Sequence, residues 1–575
     1  MIDRRKNTSS LKVDIIKAFG ADLDLEIRDS LFFVSENLKA IAYPVGHHIA
    51  IRDLFVREDM RKNDIMFIYN DPEVEKITSM NVSSDNSLLL VCEKRAKTAC
   101  ISIYKVNKLN FNNLTIFKPK RKVISTIYSE FKYSSFYVDG NYVVSLGLLN
   151  NENSKTKYLQ GVIWDLQIFQ PFREDNYKPK CIFDLSLEVT KISIENKIIC
   201  TTGQSDLSFY YIYENSIKAF KNPVHNLNIS NNNFIDHDWV SGKIPILITI
   251  TDKNDVYILE GDHDKISKGI IKDLDDDDSN IRITKFVIRQ HISNCFNDFF
   301  KNASLVKAFS KGMVIGSVQG HLLFLERTNH YEHMYKSIRY ISREKPAKVV
   351  GLSFDSKEDH LAIAFNSNEI CTINTSNILE NLRNETFDGV KFNLVCDGFH
   401  SGPITSMDIA LQRPIIVTTS QTDKTVRVWN YLTGHCEYCK ILLTEKENED
   451  REMDVLAVAI HPNGYYLAVS DREMIRFFHL CYKELRFYNN DVVNNENPKA
   501  NCHLLKFSYG GHILAAVSNK TLYILRSYTR ETLKEIETPH TGTIKNIIFH
   551  DQDLYVYTIG SEGMVVEYSL FDFRM

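Results

Sequence analysis

Short apolar runs separated by turn residues follow one another along most of the chain. Runs of four to seven apolar residues recur, for example Leu88 to Val91, Ile246 to Ile250 and Leu467 to Val469, and β-branched and aromatic residues are enriched in them. Few stretches keep their apolar residues at the 3.6-residue period of an α-helix over three turns. This pattern predicts an all-β protein with closely spaced strands.

A longer sequence motif of three apolar strands and two turns recurs along the chain. Its clearest copy spans residues 399–440: Phe399 to Thr405 opens it, Pro414 to Ser420 forms a strand, and a turn through Asp423 leads to a strand with Trp429. This copy resembles the WD40 repeat, the unit of a β-propeller blade.

In the WD40 family, a loop His, a Ser or Thr on the second strand, a turn Asp and a third-strand Trp form a hydrogen-bonded chain. A fully satisfied polar network of this kind specifies one geometry. The turn before the Asp is one residue longer here than the usual spacing. The matching positions are His400, Ser420 (or Thr419), Asp423 and Trp429. In the last copy Glu562 and Tyr568 replace the Asp and the Trp, so we expect no network there.

About eleven copies are recognisable, and their number predicts two rings because one ring typically holds four to eight blades. We expect tandem WD40 propellers: residues 1–392 with about seven blades and long insertions, and residues 393–575 with about four. Four blades would leave an unpaired edge. Either the chain stops short of the family's full length, or N-terminal strands complete the second ring. Among the insertions, we expect a short helix around Phe296 to Ala308.

Charge and composition narrow the function classes. Lys plus Arg total 69 and Asp plus Glu total 73, which gives a net charge of −4, and the isoelectric point is about 6.5. This balance argues against a dedicated nucleic-acid binder and an anionic-membrane binder. The chain starts without an apolar signal segment and no apolar run approaches 18 residues. The 11 cysteines are therefore expected to be reduced and mostly buried thiols.

Potential metal and catalytic motifs are weak. Cys436 and Cys439 beside His435 lack a second ligand pair for zinc. His330 to His333 and Asp262 to Asp264 have no supporting ligands, and Asp275 to Asp278 lacks the alternation of a calcium loop. We found neither a phosphate-binding loop nor a nucleophile elbow. We therefore expect no catalytic residue, no metal and no cofactor, and hence no enzyme.

A basic cluster, Lys118 to Lys122, leaves three interpretations open. It could direct the protein to the nucleus, contact an acidic tubulin surface, or simply form a rim loop between blades, which is the commonest case.

Several short sequence motifs resemble a narrower family than WD40 repeats in general. In order and spacing they resemble the family of cilia- and flagella-associated protein 57, strongly over residues 399–570 and patchily over 230–375. The motifs are His237 to Val240, Ser310 to Gly312, Leu323 to Glu326, Phe399 to Thr405, Arg413 to Ile416, Val428 to Tyr431, His461 to Gly464 and Phe507 to His512.

This resemblance implies a double propeller followed by a long coiled coil, placed on doublet microtubules of the ciliary axoneme near inner dynein arms and the nexin–dynein regulatory complex. The coiled coil is not in the sequence, so roles that require it are not expected of this chain. We expect a non-catalytic cytoskeletal scaffold whose partners are subunits of these complexes, with tubulin as a further candidate, and neither nucleic acid nor membrane. The alternatives are a cytoplasmic or nucleolar WD-repeat assembly factor, and an enzyme with its site in a propeller channel.

Overall fold

The structure is a computed structural model that describes part of the chain. The described residues are 18, 20–23, 29–34, 39–54, 65–68, 72–106, 119–137, 142–149, 158–166, 179–195, 197–204, 206–213, 216–220, 232–240, 242, 244–263, 283–293, 302–328, 334–343, 345–376, 392–441, 443–446, 449–452, 455–472, 474–481, 484–487 and 501–571.

The chain divides into two compact units, Met1–Cys396 and Asp397–Met575. The first unit holds seven four-stranded antiparallel sheets, each with its strands paired in chain order. Sheets 1 to 4 are formed by β1 Phe32–Val34, β2 Ala40–Val45, β3 His48–Asp53 and β4 Ile65–Ile68; β5 Val74–Val82, β6 Leu88–Arg95, β7 Ala99–Lys105 and β8 Arg121–Ser125; β9 Tyr128–Phe136, β10 Tyr142–Leu149, β11 Leu159–Asp165 and β12 Cys181–Leu185; β13 Val189–Glu195, β14 Ile198–Gly203, β15 Asp206–Tyr213 and β16 Ser216–Ala219. Sheets 5 to 7 are formed by β17 Phe234–Val240, β18 Ile246–Thr251, β19 Val256–His263 and β20 Ile283–Ile292; β21 Ala303–Phe309, β22 Gly312–Ser317, β23 Leu322–Arg327 and β24 Tyr335–Ile341; β25 Val349–Phe354, β26 His360–Phe365, β27 Ile370–Asn374 and β28 Asn393–Cys396.

The second unit holds sheets 8 to 11 and a two-stranded hairpin, and the described part of sheet 11 has three strands. They are formed by β29 Ser406–Ile409, β30 Ile415–Ser420, β31 Thr425–Asn430 and β32 Cys436–Ile441; the hairpin β33 Leu443–Lys446 and β34 Glu449–Glu452; β35 Ala457–Ile460, β36 Tyr466–Ser470, β37 Ile475–Cys481 and β38 Glu484–Phe487; β39 Cys502–Phe507, β40 Ile513–Ser518, β41 Thr521–Arg526 and β42 Thr532–Glu537; β43 Ile544–Phe549, β44 Tyr555–Gly560 and β45 Val565–Ser569. The all-β class and the eleven repeated units are thus confirmed. The expected helix around Phe296 to Ala308 is wrong over residues 303–308, which lie in β21, the inner strand of sheet 6; residues 296–301 lie outside the described residues.

In sheets 1 to 10 the second strand is largely buried on both faces, and this explains the short apolar runs of the sequence. In sheet 11 the second strand, β44, alternates between half-buried and buried residues. All six residues of β18 and all six of β22 are buried. Side chains of a strand point alternately to its two faces, and here each face packs on a neighbouring sheet. A strand that is buried on both faces has no polar face, so its sequence is a continuous apolar run and not an alternation of apolar and polar residues.

The first unit closes into a ring because sheet 1 packs against sheet 7. The backbone N–H of Phe33 in β1 donates to Ser353 Oγ in β25 at 3.0 Å. Tyr43 and Ala50 of sheet 1 share one apolar cluster with Ala362 and Ile370 of sheet 7. The closed ring leaves no uncovered face at either end of the row of sheets.

A buried ionic cluster ties several sheets of this ring together. Lys191 Nζ in β13 lies 2.9 Å from Asp236 Oδ1 in β17 and 3.6 Å from Asp29 Oδ2, which precedes β1. Tyr133 in β9 donates to Asp29 at 2.6 Å, and Asp236 Oδ2 accepts the backbone N–H of Val306 in β21 at 2.9 Å. Burial disfavours the charged lysine, but the two carboxylates outweigh it and raise the pKa of Lys191.

The sheets of the second unit pack in sequence through three apolar clusters, 8 with 9, 9 with 10 and 10 with 11. The inner strands β29, β39 and β43 line one cavity of about 340 Å³. Lys506 in β39 donates to Asp408 Oδ1 in β29 at 2.5 Å. Asp408 Oδ2 also accepts the backbone N–H of Ile460 in β35, so this carboxylate joins three sheets.

Replacing Lys191 with Met should destabilise the first unit by about 3–5 kcal/mol, because the buried Asp236 and the partly buried Asp29 would lose their counter-charge. The matched control is Lys307→Met: this half-exposed lysine lies 3.2 Å from Asp238, and its loss should cost less than about 1 kcal/mol. Urea unfolding of both variants, with hydrogen exchange assigning the loss to residues 1–396, measures the difference. Equal losses in the two variants would contradict a central role for Lys191.

Candidate functional site

All three tryptophans of the chain donate their indole N–H to a serine or threonine hydroxyl. Trp164 donates to Ser145 at 2.8 Å, Trp239 to Ser193 at 2.8 Å, and Trp429 to Thr418 at 2.9 Å. A buried indole N–H needs an acceptor, and each hydroxyl here comes from another strand. These pairs mark the polar networks that position the sheets.

The network in sheet 8 brings His400, Asp423 and Trp429 together. His400 Nδ1 lies 3.0 Å from Asp423 Oδ2, and His400 Nε2 lies 2.9 Å from Thr418 Oγ1. A consistent proton arrangement is that Trp429 donates to Thr418, Thr418 donates to Nε2, and Nδ1–H donates to the carboxylate. Asp423 also accepts the backbone N–H and the hydroxyl of Thr425.

The hydroxyl of this network belongs to Thr418, so the expectation of Ser420 or Thr419 is wrong. Thr418 and Ser420 lie on the same face of β30, because side chains alternate along a strand. Thr418 is opposite Arg427 in the β30–β31 register, where its hydroxyl reaches the ring of Trp429. Ser420 lies at the end of the strand, and its buried hydroxyl has no hydrogen-bond partner among the described residues.

Electrostatics agree with an ionised Asp423. Burial alone would raise its pKa, but hydrogen bonds from His400 and Thr425 outweigh burial and lower the pKa to about 2. The carboxylate is therefore charged throughout the neutral range, and it holds the histidine in one orientation.

Sheet 11 carries a second network, which the sequence analysis did not expect. His540 Nδ1 lies 2.5 Å from Glu562 Oε1 and His540 Nε2 lies 2.8 Å from Thr558 Oγ1. The longer glutamate fits because Gly560 lies beside it: a Cβ at that glycine would lie 2.3 Å from both carboxylate oxygens. Tyr568 is buried on β45, so an aromatic ring is retained.

A third network joins sheets 4 and 5. His237 Nδ1 lies 2.8 Å from Thr202 Oγ1, and its Nε2 lies 2.5 Å from Ser193 Oγ, which also accepts from Trp239. The histidine here lies on an inner strand and not in a loop, so the WD40 spacing did not reveal it. The feature of the sequence that points to this network is a histidine and a tryptophan two residues apart, His237 and Trp239.

Other candidate residues lie apart or outside the described residues. Cys439 is exposed and Cys436 half-buried on β32, and His435 Nδ1 lies 3.0 Å from Asp397 instead. Asp262 and His263 end β19; Lys120 precedes β8, the outer strand of sheet 2, and Arg121 and Lys122 are its first two residues. Within the described part of the chain, no three His, Cys, Asp or Glu side chains group as metal ligands would. The remaining residues, Lys118, Asp264, His330 to His333 and Asp275 to Asp278, are not described.

One rim of the second unit exposes large apolar side chains. Each turn between the first and second strands of sheets 8 to 11 carries one, between 45% and 58% exposed: Leu411, Tyr465, Tyr509 and Leu554. We name these four residues the apolar rim. The exposed large apolar residues of the first unit lie elsewhere, none of them in the described turns of this type. An apolar side chain that recurs at the same turn of each sheet makes this rim a candidate surface for protein contacts.

Thr418→Val should destabilise the second unit by about 1–3 kcal/mol, because the indole of Trp429 and the Nε2 of His400 would both lose their buried partner. Ser420→Ala should change the free energy of unfolding by much less, since no described partner is lost. Denaturant titrations followed by Trp429 fluorescence, with Trp164 and Trp239 replaced by Phe in the background, compare the two. A larger loss for Ser420→Ala would contradict the network as described.

No helix within the described segments has the length and apolar character needed to cross a membrane. Comparison with known proteins gives one family match: residues 395–430 match the family model of the WD domain, G-beta repeat. This segment contains His400, Thr418, Asp423 and Trp429.

Two relatives extend the comparison beyond that repeat. The mouse cilia- and flagella-associated protein 57 is 22% identical over 593 aligned residues, which cover 98% of this chain and 43% of the relative. The cilia- and flagella-associated protein 57 A of Tetrahymena thermophila is 26% identical over 276 residues, 46% of this chain and 19% of that protein. The chain thus spans less than half the length of these relatives. With its eleven sheets and its WD-type network, it is a WD-repeat protein related to cilia- and flagella-associated protein 57.

Proposed function

We propose that this chain is a non-catalytic scaffold of the ciliary or flagellar axoneme. The observation that carries the proposal is the match of 98% of the chain to a relative named as cilia- and flagella-associated. The mechanism is rigid display. Ring closure, the buried ionic cluster and the three histidine networks hold the rim turns in place, and partners dock on them.

In the finer form of the proposal, the chain docks on doublet microtubules near inner dynein arms and the nexin–dynein regulatory complex. The apolar rim supports a docking role, because aromatic and aliphatic side chains that are only half-buried in the free protein are typical anchors of protein interfaces. A rigid scaffold with such anchors loses little side-chain entropy on binding.

Fractionation of cilia tests the axonemal assignment. The tagged full chain should remain with the axoneme after non-ionic detergent, and should leave it only in about molar salt or not at all, because stable interfaces bury apolar area that detergent does not replace. Release by detergent, or absence from cilia, would contradict the proposal. A nuclear or nucleolar location of the tagged chain would favour the assembly-factor alternative instead.

The double variant Tyr509→Ser and Leu554→Ser should release the protein from the axoneme at a lower salt concentration than the wild type. Both side chains are about half exposed, so the fold should tolerate the change. The matched control is Tyr158→Ser with Ile182→Ser, which removes two similarly exposed apolar residues from the first unit. Identical salt profiles for the two double variants would exclude the apolar rim as the docking surface.

A further inference from the structure

The cavity of about 340 Å³ beside β29, β39 and β43 of the second unit has accessible apolar walls. Met407 and Ile409 of β29 are 66% and 49% exposed, and Ile548 of β43 is 43% exposed. Leu411 and Tyr509 of the apolar rim also line this cavity. The apolar rim therefore continues into the cavity, so that a partner on the rim reaches its walls.

The first strands of the first unit differ in this respect. On the described first strands of sheets 1 to 7, no large apolar side chain is exposed. Polar contacts lie there instead, as between Lys191 of β13 and Asp236 of β17. Exposed apolar side chains on first strands are thus a property of the second unit and not of the repeated sheet. Because they line one cavity, they are a candidate binding surface.

Two charged side chains are found among the described residues that line the cavity, and the positive one is the accessible one. Asp408 is 5% exposed, whereas Lys506 is 42% exposed. The carboxylate of Asp408 accepts hydrogen bonds from the backbone N–H groups of Ile409 and Ile460 and from Lys506. An ammonium group has three donors, and Asp408 is the one acceptor of Lys506 among the described residues. Lys506 therefore still has donors for a ligand.

Asn546 of β43 adds a further donor to the wall. This side chain is exposed, and its oxygen accepts the backbone N–H of Ile547 at 2.9 Å, so its amide N–H groups are what it offers to a ligand. The hydroxyl of Ser406 is already occupied by the N–H and the carbonyl of Val458, at 3.2 and 3.3 Å. These polar side chains favour a ligand that accepts hydrogen bonds and carries a negative charge.

We propose that the cavity binds a segment of a partner protein in which a glutamate or aspartate adjoins large apolar residues. One apolar side chain packs against the walls formed by β29 and β43, and the carboxylate pairs with Lys506. The volume lies at the lower end of the range for ligand pockets, about 300–1,000 Å³, so the cavity fits one or two side chains. The inference rests on the docking role proposed for the apolar rim and names the chemistry of the partner. Its test uses the purified chain, so the outcome does not depend on where the chain resides in the cell.

Fluorescence anisotropy of a fluorescein-labelled peptide, Ser-Gly-Leu-Leu-Glu-Phe-Leu-Gly-Ser, measures binding to the purified full chain. Binding should saturate, and it should weaken as NaCl rises from about 50 to 300 mM, because salt screens the partly exposed Lys506. Replacing the Glu of the peptide with Lys, or its four apolar residues with Ser, should weaken binding at least tenfold. No saturable binding, or equal affinity for the Glu and Lys peptides, would overturn the proposal.

Apolar variants locate the site. Met407→Ser with Ile548→Ser should lower the affinity for the peptide at least tenfold. The matched control is Leu432→Ser with Ile441→Ser, which removes two apolar side chains that are 67% and 41% exposed at the outer strand of sheet 8; its affinity should equal that of the wild type. Thermal melts establish that both variants fold. An equal loss in both would overturn the cavity as the site.

A charge variant tests the pairing of Lys506 with the carboxylate of the peptide. Lys506→Met should weaken binding of the Glu peptide at least fivefold and leave the binding of a Gln peptide unchanged, because only the Glu peptide carries the negative charge. Lys534→Met, on the outer strand of the same sheet, is the matched control and should change neither affinity. An equal loss for both peptides would show that Lys506 acts through the fold alone, and would overturn the proposed pair.

Oxidation of Met407 by hydrogen peroxide gives a readout independent of charge, since exposed thioethers oxidise to sulfoxides. Saturating peptide should slow the oxidation of Met407 at least fivefold and leave that of Met564, which is 41% exposed in the turn between β44 and β45, unchanged by mass spectrometry. Equal oxidation of Met407 with and without peptide would overturn the proposal. Sedimentation of the chain without peptide tests another occupant: a dimer that dissociates on Met407→Ser with Ile548→Ser would assign the cavity to a second copy of the chain and overturn the proposal.

Discussion

Sheets 1 to 10 each have two largely apolar faces along their second strand, and each of these faces needs a neighbour. This constraint follows from the second strands, of which β18 and β22 are buried along their whole length. A sheet with one apolar face can expose its other face to water. A sheet with two apolar faces needs a neighbouring sheet on each side, either further along the chain or through closure of a ring. In the first unit, the hydrogen bond between Phe33 and Ser353 joins the first sheet to the last and closes the ring. Apolar burial supplies the driving force for this stacking but no preferred register, because the hydrophobic effect has no direction.

Directed contacts supply the register that apolar packing lacks. Hydroxyl, carboxylate and imidazole groups at the seams each reach one defined backbone or side-chain atom of the next sheet, as Asp408 does with the N–H of Ile460. A shift of one residue would leave these buried groups unsatisfied, at about 1–3 kcal/mol each. Packing thus selects a stack of sheets, and the polar groups select one arrangement of it.

The sequence alone predicted the class and the repeat well, because short apolar runs between turns carry most of that information. His400, Asp423 and Trp429 were also predictable, since the family spacing identifies them. Thr418 was not, because the turn after β30 is longer than usual and two hydroxyls lie on the same strand face. The network of His540 was missed because Glu562 compensates for a shorter residue only where Gly560 leaves room. Strand β21 was mistaken for part of a helix, because an apolar segment of seven residues is too short to distinguish the two periods.

The position of Lys191 has a consequence for cooperativity. In linear repeat proteins each repeat contacts only its neighbours, so stability is close to a sum of local terms and the ends can unfold alone. Here one ammonium group connects Asp29, at the entry to sheet 1, with Asp236 in sheet 5, and these two carboxylates accept hydrogen bonds from Tyr133 of sheet 3 and Val306 of sheet 6. Separating any one of these sheets from the ring would expose the ammonium group of Lys191 or leave it without one of its partners. The ring therefore behaves as one folding unit in which a change in a single sheet is felt by sheets that it never touches.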